Sequence, residues 1–317
     1  MSVLQPSLNP TPEGSTPLVL ELPHLQMAAL AWGDPADKPL LALHGWLDNA
    51  MTYVHLGPEL AKAGYYVVAL DFAGHGFSDW RPAGQPYLLM ENCFDVQAAA
   101  LALGWSRFTL VGHSMGAGVA SLLAAAHPEA VEKLVMIDGL GTLTTPDDEA
   151  AAQMGRALGR WIGHQQKQLL QEEEPALPSK IYASIKEAAE ARMKGVGAVD
   201  YEAALALCQR ALKQVDEEHE AGGWYWRSDA RLRHPSPWRL TEAQNEAFMR
   251  AIQAPALLIE AEQGLLIQRP EIETRFQLLQ KGSRQVLTGG HHLHLEEATA
   301  EANAAVVTEF LLKDHLS

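Results

Sequence analysis

Short apolar runs recur through the first part of the chain, and most of them are continuous rather than alternating. Such runs predict strands that are buried on both faces of a parallel sheet. The runs are LVLEL (18–22), MAALAWG (27–33), LLALHG (40–45), YYVVALDF (65–72), FTLVGHS (108–114) and KLVMIDG (133–139). Helical stretches lie between several of them, at about 56–63, 92–103 and 115–127. This alternation predicts an α/β fold with a mostly parallel, doubly wound sheet.

The alternation stops between Gly141 and Ser236, where the pattern predicts helices and no strand. The first helix is indicated by apolar residues that recur on one helical face, namely Met154, Leu158, Trp161 and Ile162. Two more helices are predicted near 180–194 and 200–219. This region is therefore interpreted as an inserted helical layer.

After the insertion the pattern predicts further alternating elements: a helix at 241–252, a strand at 256–261, a helix at 270–280, a strand at 284–289 and a helix from about 297. Prolines and glycines in the first 17 residues disfavour regular structure there. The predicted organisation is an N-terminal tail (1–17), a core domain (18–141 and 237–317) and a helical cap (142–236).

Composition restricts the classes of function. The chain has 317 residues, of which 47% are hydrophobic and 20% charged, as is typical of a globular protein. The formal net charge of −15 disfavours nucleic acid and anionic membrane surfaces as partners. No signal-peptide pattern or membrane-length apolar run is found, so we expect a cytoplasmic protein without membrane insertion. Cys93 and Cys208 lie outside any CxxC spacing and are expected to be free, buried thiols.

The sequence Gly112-His113-Ser114-Met115-Gly116 follows a predicted strand and begins a predicted helix. This is the context that a GxSxG nucleophile elbow requires, since glycines on both sides let neighbouring backbone pass close to the turn. Ser114 is therefore the candidate nucleophile. The N–H of Met115, at the start of the helix, is a candidate donor to a developing oxyanion. The alternative is a glycine turn that serves only the packing of the helix on the sheet.

A serine hydroxyl needs a general base at neutral pH. His291 follows the last predicted strand and precedes the last helix, so it is the candidate base. The alternatives His292 and His294 are more readily interpreted as residues that pack or form hydrogen bonds beside the final helix. A zinc site formed by the three histidines and Glu296 is conceivable by residue type, but no second ligand cluster supports it. No metal or cofactor is therefore predicted.

The oxyanion needs a second backbone donor, commonly in the loop after an early strand. The run LLALHG ends at Gly45, which allows the N–H of Trp46 to turn inward. A tryptophan at this position would also form an apolar wall of a substrate pocket. The alternative is a tryptophan of the core.

Four motifs, HGWLDNA (44–50), DFAGHGFSD (71–79), GHSMG (112–116) and GGHHLHLEE (289–297), together resemble the α/β-hydrolase superfamily, most closely its serine hydrolase-like branch. The resemblance covers the predicted core domain and implies an α/β-hydrolase fold with a cap. It implies Ser114 as nucleophile, His291 as base and the N–H groups of Trp46 and Met115 as oxyanion hole. It also implies a structural role for a loop that braces the site, formed by Asp71, Gly74, His75 and Gly76.

The chain departs from the family pattern at the triad acid. Most members carry an aspartate in the loop after the strand that follows the cap, and Gly264 stands at this position. Asp138, at the end of the run KLVMID, is the favoured replacement. Glu262 is the second alternative, Glu260 is expected to pack elsewhere, and the third alternative is that no acid serves. An imidazole without a carboxylate partner would lose both its orientation and the stabilisation of its cation.

These residues predict a serine hydrolase that cleaves a small or medium hydrophobic carboxylic ester through an acyl-enzyme. Thioesters, lactones and carbon–carbon bonds β to a ketone are alternative substrates. The serine argues against the dehalogenase and epoxide hydrolase activities of the superfamily, which use an aspartate nucleophile. A non-catalytic ligand-binding protein is the rival class, and a homodimer formed through the cap is left open. Several aromatic cap residues are candidate pocket walls, with cap packing as the alternative: Trp161, Trp224, Tyr225, Trp226 and Trp238.

Overall fold

The apolar runs form the central sheet of a computed structural model, which describes residues 11–170, 180–195, 197–215 and 222–313. The strands are β1 (Thr16–Glu21), β2 (Gln26–Trp32), β3 (Lys38–Leu43), β4 (Tyr65–Leu70), β5 (Phe108–His113), β6 (Val131–Ile137), β7 (Leu212–Gln214), β8 (Trp224–Trp226), β9 (Ala256–Gln263) and β10 (Gly282–Gly290). The α-helices are α1 (Leu56–Lys62), α2 (Glu91–Ala102), α3 (Met115–Ala126), α4 (Ala150–Leu170), α5 (Ile185–Arg192), α6 (Tyr201–Ala211), α7 (Glu242–Ala251), α8 (Glu271–Gln277) and α9 (Glu297–Leu312).

Eight strands form one sheet in the order β1-β2-β4-β3-β5-β6-β9-β10. Strand β2 runs antiparallel to both of its neighbours, and the remaining pairs from β4 to β10 are parallel. This is the α/β-hydrolase fold, and it confirms the predicted fold class. Helices cover both faces of this sheet, which explains why most of the strands contain continuous apolar runs.

Alternate residues of one strand pack into two different hydrophobic clusters. Leu41 and Leu43 of β3 join a cluster with residues of α2 and α3, on one face of the sheet. Leu40 and Ala42 join a second cluster with residues of α1 and α9, on the other face. This period of two places the side chains of the central strands in apolar surroundings on both faces, and their burial is the main stabilising contribution to the sheet.

The inserted region contains α4, α5 and α6, as predicted, but it also contains the short antiparallel pair β7–β8. The expectation that this region has no strand is therefore wrong. The predicted third helix ends at Ala211 because Leu212 leaves the helical conformation and pairs with Trp226. Strands of three residues are too short to produce a periodic pattern. The division into tail, core and cap stays a prediction.

The predicted cap (142–236) packs on the same apolar cluster as one face of the sheet. Ala188 of α5 and Leu207 of α6 share this cluster with Leu293 and Leu295, which lie beside the candidate base. Both cysteines are free thiols, with Cys208 buried and Cys93 only half-buried. Within the four described ranges, no helix combines the length and the apolar character needed to cross a membrane.

Candidate active site

Candidate functional residues meet at one edge of the sheet, where five parallel strands end. Trp46 follows β3, Ser114 follows β5, Asp138 follows β6, Gly264 follows β9 and His291 follows β10. In open α/β sheets, the carboxyl ends of the strands form the usual ligand crevice. Strand direction alone therefore brings together residues that are far apart in sequence.

Ser114 lies at a sharp strand-to-helix turn, with φ of 51° and ψ of −113°. A Cβ atom at Gly116 would lie 2.1 Å from a backbone oxygen of β3, and one at Gly112 would lie 2.4 Å from the Gly116 oxygen. Both distances are far below van der Waals contact, so the two flanking positions require glycine. The turn holds the serine in a sparsely populated conformation, as nucleophile elbows do.

Ser114, His291 and Asp138 form a continuous hydrogen-bonded chain. The Nε2 atom of His291 lies 2.9 Å from Ser114 Oγ, and its Nδ1 atom lies 2.5 Å from Asp138 Oδ2. Since a carboxylate can only accept, Nδ1 donates the proton and Nε2 is left to accept from the serine hydroxyl. Asp138 and His291 are buried, and the serine is half-buried.

Backbone groups of the neighbouring strand hold the Asp138 carboxylate. The N–H of Leu265 donates to Oδ2 at 2.8 Å, and the N–H of Ala261 donates to Oδ1 at 3.3 Å. A Cβ atom at Gly264 would lie 2.4 to 2.6 Å from the Asp138 carboxyl atoms. The Asp138 carboxyl group therefore fills the space in which a side chain at 264 would begin, the position of the usual acid.

The alternative acids lie elsewhere. Glu262 is exposed at the end of β9. Glu260 is buried, and its carboxylate forms an ion pair with Arg284 at 2.8 Å. Of the weighed carboxylates, Asp138 is the one that the structure places against His291.

The candidate oxyanion loop, which follows β3 and contains Trp46 and Leu47, is held by one contact with His75 and one with the cap. Met115 is the first residue of α3, so its N–H has no acceptor within its own helix. Leu47 has a φ of 63°, and its N–H donates to His75 Nε2 at 3.2 Å. Trp46 is 39% exposed and its indole N–H donates to the Leu232 oxygen of the cap at 3.0 Å, so Trp46 is not a core residue.

The loop around His75 has the bracing role that the family resemblance implies. The Asp71 carboxylate accepts the N–H groups of Ala50 and Phe77, each at 2.8 Å, and pairs with Arg210 of α6. Burial lowers the pKa of His75 to about 3. The neutral ring can therefore donate from Nδ1 to the Ala73 oxygen at 3.1 Å, while Nε2 accepts from the Leu47 N–H.

The predicted alternatives to the base make other contacts. His292 Nε2 lies 2.9 Å from Asp48 Oδ2, and His294 Nε2 lies 2.8 Å from Thr52 Oγ1. Glu296 accepts the N–H of Asp200 at 3.1 Å. In the described part of the chain, the set with metal-ligand spacing is instead Asp48, His113 and His292, whose donor atoms lie within 4.8 Å of one another.

The aromatic residues of the cap mostly pack or form hydrogen bonds. The indole of Trp226 donates to the Tyr182 hydroxyl at 3.1 Å, and that of Trp161 donates to the Gly84 oxygen at 2.9 Å. Trp224 is half-buried against the apolar cluster that joins the cap to the sheet, and Tyr225 is half-buried beside it. Trp238 is 53% exposed. Cap packing therefore accounts for Trp161, Trp224 and Trp226.

Sequence reasoning missed a group of buried polar residues behind the site, in which Asp48 contacts His292 and Arg192 of the cap. His113 belongs to the same group, and its Nε2 lies 2.9 Å from the His291 oxygen. The signal available in the sequence was the position of Asp48 and His113 inside the motifs HGWLDNA and GHSMG. Their partners could not be read from either motif.

Comparison with known proteins gives consistent matches over most of the chain. A family model described as the alpha/beta hydrolase fold matches residues 38–298. Serine hydrolase-like protein 2 of Homo sapiens is 31% identical over 98% of this chain and 98% of its own length. A serine hydrolase-like protein of Dictyostelium discoideum is 31% identical over 92% of this chain and 79% of its own length.

Solved structures agree with these sequence matches. A hypothetical protein from Pseudomonas aeruginosa PAO1 has a TM-score of 0.84 and 45% identity, over 94% of this chain and 99% of that chain. The thioesterase domain from the curacin biosynthetic pathway has a TM-score of 0.76 and 25% identity, over 94% of this chain and 99% of that chain.

Proposed function

Because the chain belongs to the α/β-hydrolase family, in its serine hydrolase-like branch, we propose that it cleaves hydrophobic carboxylic esters through an acyl-enzyme on Ser114. One observation carries this proposal. Ser114 Oγ lies 2.9 Å from His291 Nε2, and His291 Nδ1 lies 2.5 Å from the Asp138 carboxylate. A serine with an oriented base is the arrangement that nucleophilic acyl transfer needs.

In the proposed reaction, Ser114 Oγ attacks the ester carbonyl while His291 Nε2 takes the hydroxyl proton. The negative charge moves to the carbonyl oxygen, where the N–H groups of Met115 and Trp46 stabilise it. Collapse of this intermediate breaks the bond to the alkoxy oxygen, which leaves with the proton from His291. Water, deprotonated by the same nitrogen, then attacks the acyl group, and His291 Nε2 returns the proton to Ser114 Oγ as the carboxylic acid leaves.

The preference for a hydrophobic acyl or alkoxy group is supported by apolar side chains near the proposed site. Trp46 lies in the candidate oxyanion loop and is 39% exposed. The backbone N–H of Leu265 contacts the Asp138 carboxylate, and the Leu265 residue is 46% exposed. Apolar groups exposed beside a polar reacting centre are typical of sites that bind apolar ligands.

A thioester is the second candidate substrate. The specific support is the similarity to the thioesterase domain from the curacin pathway, at 25% identity over most of both chains. Oxygen esters and thioesters react through the same acyl-enzyme, so the residues named above would serve both.

A fluorophosphonate probe tests whether Ser114 is nucleophilic. We expect the protein to form one covalent adduct at Ser114 and Ser114→Ala to form none, while a binding protein without catalytic activity would stay unlabelled. A panel of p-nitrophenyl esters of graded acyl length, with thioesters and lactones alongside, then ranks the substrates by kcat/KM. Preference for a thioester over the matched oxygen ester would favour the second candidate.

A further inference from the structure

A buried group of polar residues lies directly behind the proposed base. It consists of Asp48, His113 and His292, with Arg192 at the end of α5 reaching in from the cap. Asp48, His113 and His292 are all nearly inaccessible to solvent. A carboxylate buried to this extent requires compensation by positive charge or by hydrogen bonds.

Proton positions in this group follow from the partners. The Nε2 of His113 lies 2.9 Å from the His291 oxygen, a pure acceptor, so this nitrogen carries the proton. Burial and three neighbouring imidazoles hold the pKa of His113 well below its usual value, so the ring is neutral. Its Nδ1 therefore keeps a lone pair, has no hydrogen-bond partner among the residues that the structure describes, and lies 3.8 Å from Asp48 Oδ2.

Two of the three distances in this donor set fit a site for a divalent cation. Ligand atoms around one zinc ion lie about 2 Å from it and so up to about 4 Å apart. Asp48 Oδ2 lies 3.8 Å from His113 Nδ1 and 2.9 Å from His292 Nε2. A Cβ atom at Gly45 would lie 2.9 Å from both Asp48 Oδ2 and His113 Nδ1, so glycine there leaves the space between them open.

Arg192 already supplies a positive charge beside the donor atoms of Asp48 and His292. Arg192 Nη2 lies 2.9 Å from Asp48 Oδ1 and 3.3 Å from His292 Nε2. Burial alone would raise the pKa of Asp48, but its contact with His292 and the charge of Arg192 outweigh it and hold that pKa well below its usual value. The charges of Asp48 and Arg192 cancel. A divalent ion added beside them would therefore leave two buried positive charges without compensation, at a large cost in desolvation free energy.

The same contacts fix the loop that carries the base. His113 anchors the backbone of His291, and Asp48 anchors the side chain of the next residue, His292. Arg192 also donates from Nη1 to the Gly197 oxygen at 3.0 Å. A Cβ atom at Gly197 would lie 2.8 Å from the His291 ring and 2.9 Å from the His292 ring, so this part of the cap lies against both.

We propose that Arg192 is a positioning residue for the base, supplying the positive charge beside the Asp48–His113–His292 set and so joining the cap to the loop of His291. This inference rests on the proposed function, because it assigns a role beside the proposed base. It makes two distinct claims. Loss of Arg192 displaces His291, and loss of Arg192 frees the donor set for a metal ion.

The first claim is tested by the rate of fluorophosphonate labelling of Arg192→Ala, compared with Arg192→Lys and the control Arg160→Ala. Arg160 is an exposed arginine of the same cap. We expect Arg192→Ala to label about 10- to 100-fold more slowly, since small misplacement of a reacting group costs rates of this order. Arg192→Lys should recover most of the rate, and Arg160→Ala should not change it. A purely structural role would lower the melting temperature of Arg192→Ala and leave its labelling rate unchanged.

The second claim is tested by titrating the same proteins with Zn²⁺ in a calorimeter. We expect Arg192→Ala to gain a site of micromolar affinity that the unmodified protein lacks, and the double variant Asp48→Asn/Arg192→Ala to lose it. If Arg192→Ala proves unstable, Arg192→Gln replaces it in both measurements. Normal labelling together with no gained zinc site would overturn the proposal. Failure of the unmodified protein to label would instead overturn the proposed function.

Discussion

Replacing Asp138 by Asn separates the charge of the proposed acid from its shape. Asparagine has nearly the same volume, so the packing around Gly264 is kept. The N–H of Leu265 donates to Oδ2 at 2.8 Å, while the contact of Ala261 with Oδ1 is longer, at 3.3 Å. The shorter contact favours the amide oxygen at the Oδ2 position, where it still accepts the proton from His291 Nδ1. The variant should therefore keep the productive tautomer and lose the negative charge.

The size of the effect follows from that charge. In the transition state His291 becomes a cation, and a unit charge about 4 Å away at an effective dielectric constant of about 20 stabilises it by about 4 kcal/mol. This corresponds to roughly a thousandfold in rate. A larger loss, about ten-thousandfold, is expected where an asparagine turns its NH₂ group towards the imidazole and imposes the wrong tautomer.

The assay is the second-order rate of fluorophosphonate labelling, followed by kcat/KM on the best p-nitrophenyl ester. The matched control is Glu262→Gln, which removes one exposed carboxylate from the end of β9. We expect Asp138→Asn to lose about three powers of ten in rate and Glu262→Gln to retain full activity. A near-normal rate for Asp138→Asn, with a loss in Glu262→Gln, would refute the assignment of the acid.

Three further changes probe the same structure. The exchange Asp138→Gly/Gly264→Asp should label at least about tenfold faster than Asp138→Gly alone, because both carboxyl groups share one space; equal rates would contradict this. Burial lowers the pKa of His44 to about 4 and that of His75 to about 3, so the folded rings stay neutral. Unfolded histidines bind protons below about pH 6.5, so the free energy of unfolding should fall as the pH is lowered from about 6.5 towards 4. The expected fall is about 1.4 kcal/mol per pH unit for each ring. Urea titrations that give the same free energy of unfolding at pH 7 and pH 5 would disprove this. Gly116→Ala places a Cβ atom 2.1 Å from a backbone oxygen of β3 and should lower the melting temperature and abolish labelling; native-like behaviour in both assays would show that the turn tolerates a side chain.

Much of the fold could be predicted because most strands of the large sheet contain a continuous apolar run, as in YYVVAL of β4. The elbow could be predicted because the GxSxG spacing and its strand–helix context are local. The pair β7–β8 was missed since its strands have three residues each and depend on their mutual pairing.

The acid was harder to assign because no local pattern says which strand end reaches the imidazole. The sequence left Asp138 and Glu262 open, and the deciding fact is the parallel pairing of β6 with β9, which places Asp138 beside Gly264. The contact between Asp48 and Arg192 joins residues 144 positions apart, from the core and from the cap. This contact forms only when the cap packs on the core, so it cannot be predicted from the spacing of motifs.

The Asp138 carboxyl group lies against Gly264, so a negative charge from one strand end reaches the space beside the neighbouring strand end. A survey of degenerate enzymes that demands an aspartate after the penultimate strand would discard this chain as a pseudoenzyme. Its imidazole nevertheless has a carboxylate partner at hydrogen-bond distance. Homologues classified as inactive because they lack this aspartate should therefore be checked again. The members to look for have glycine at the usual acid position and a carboxylate at the end of the neighbouring strand.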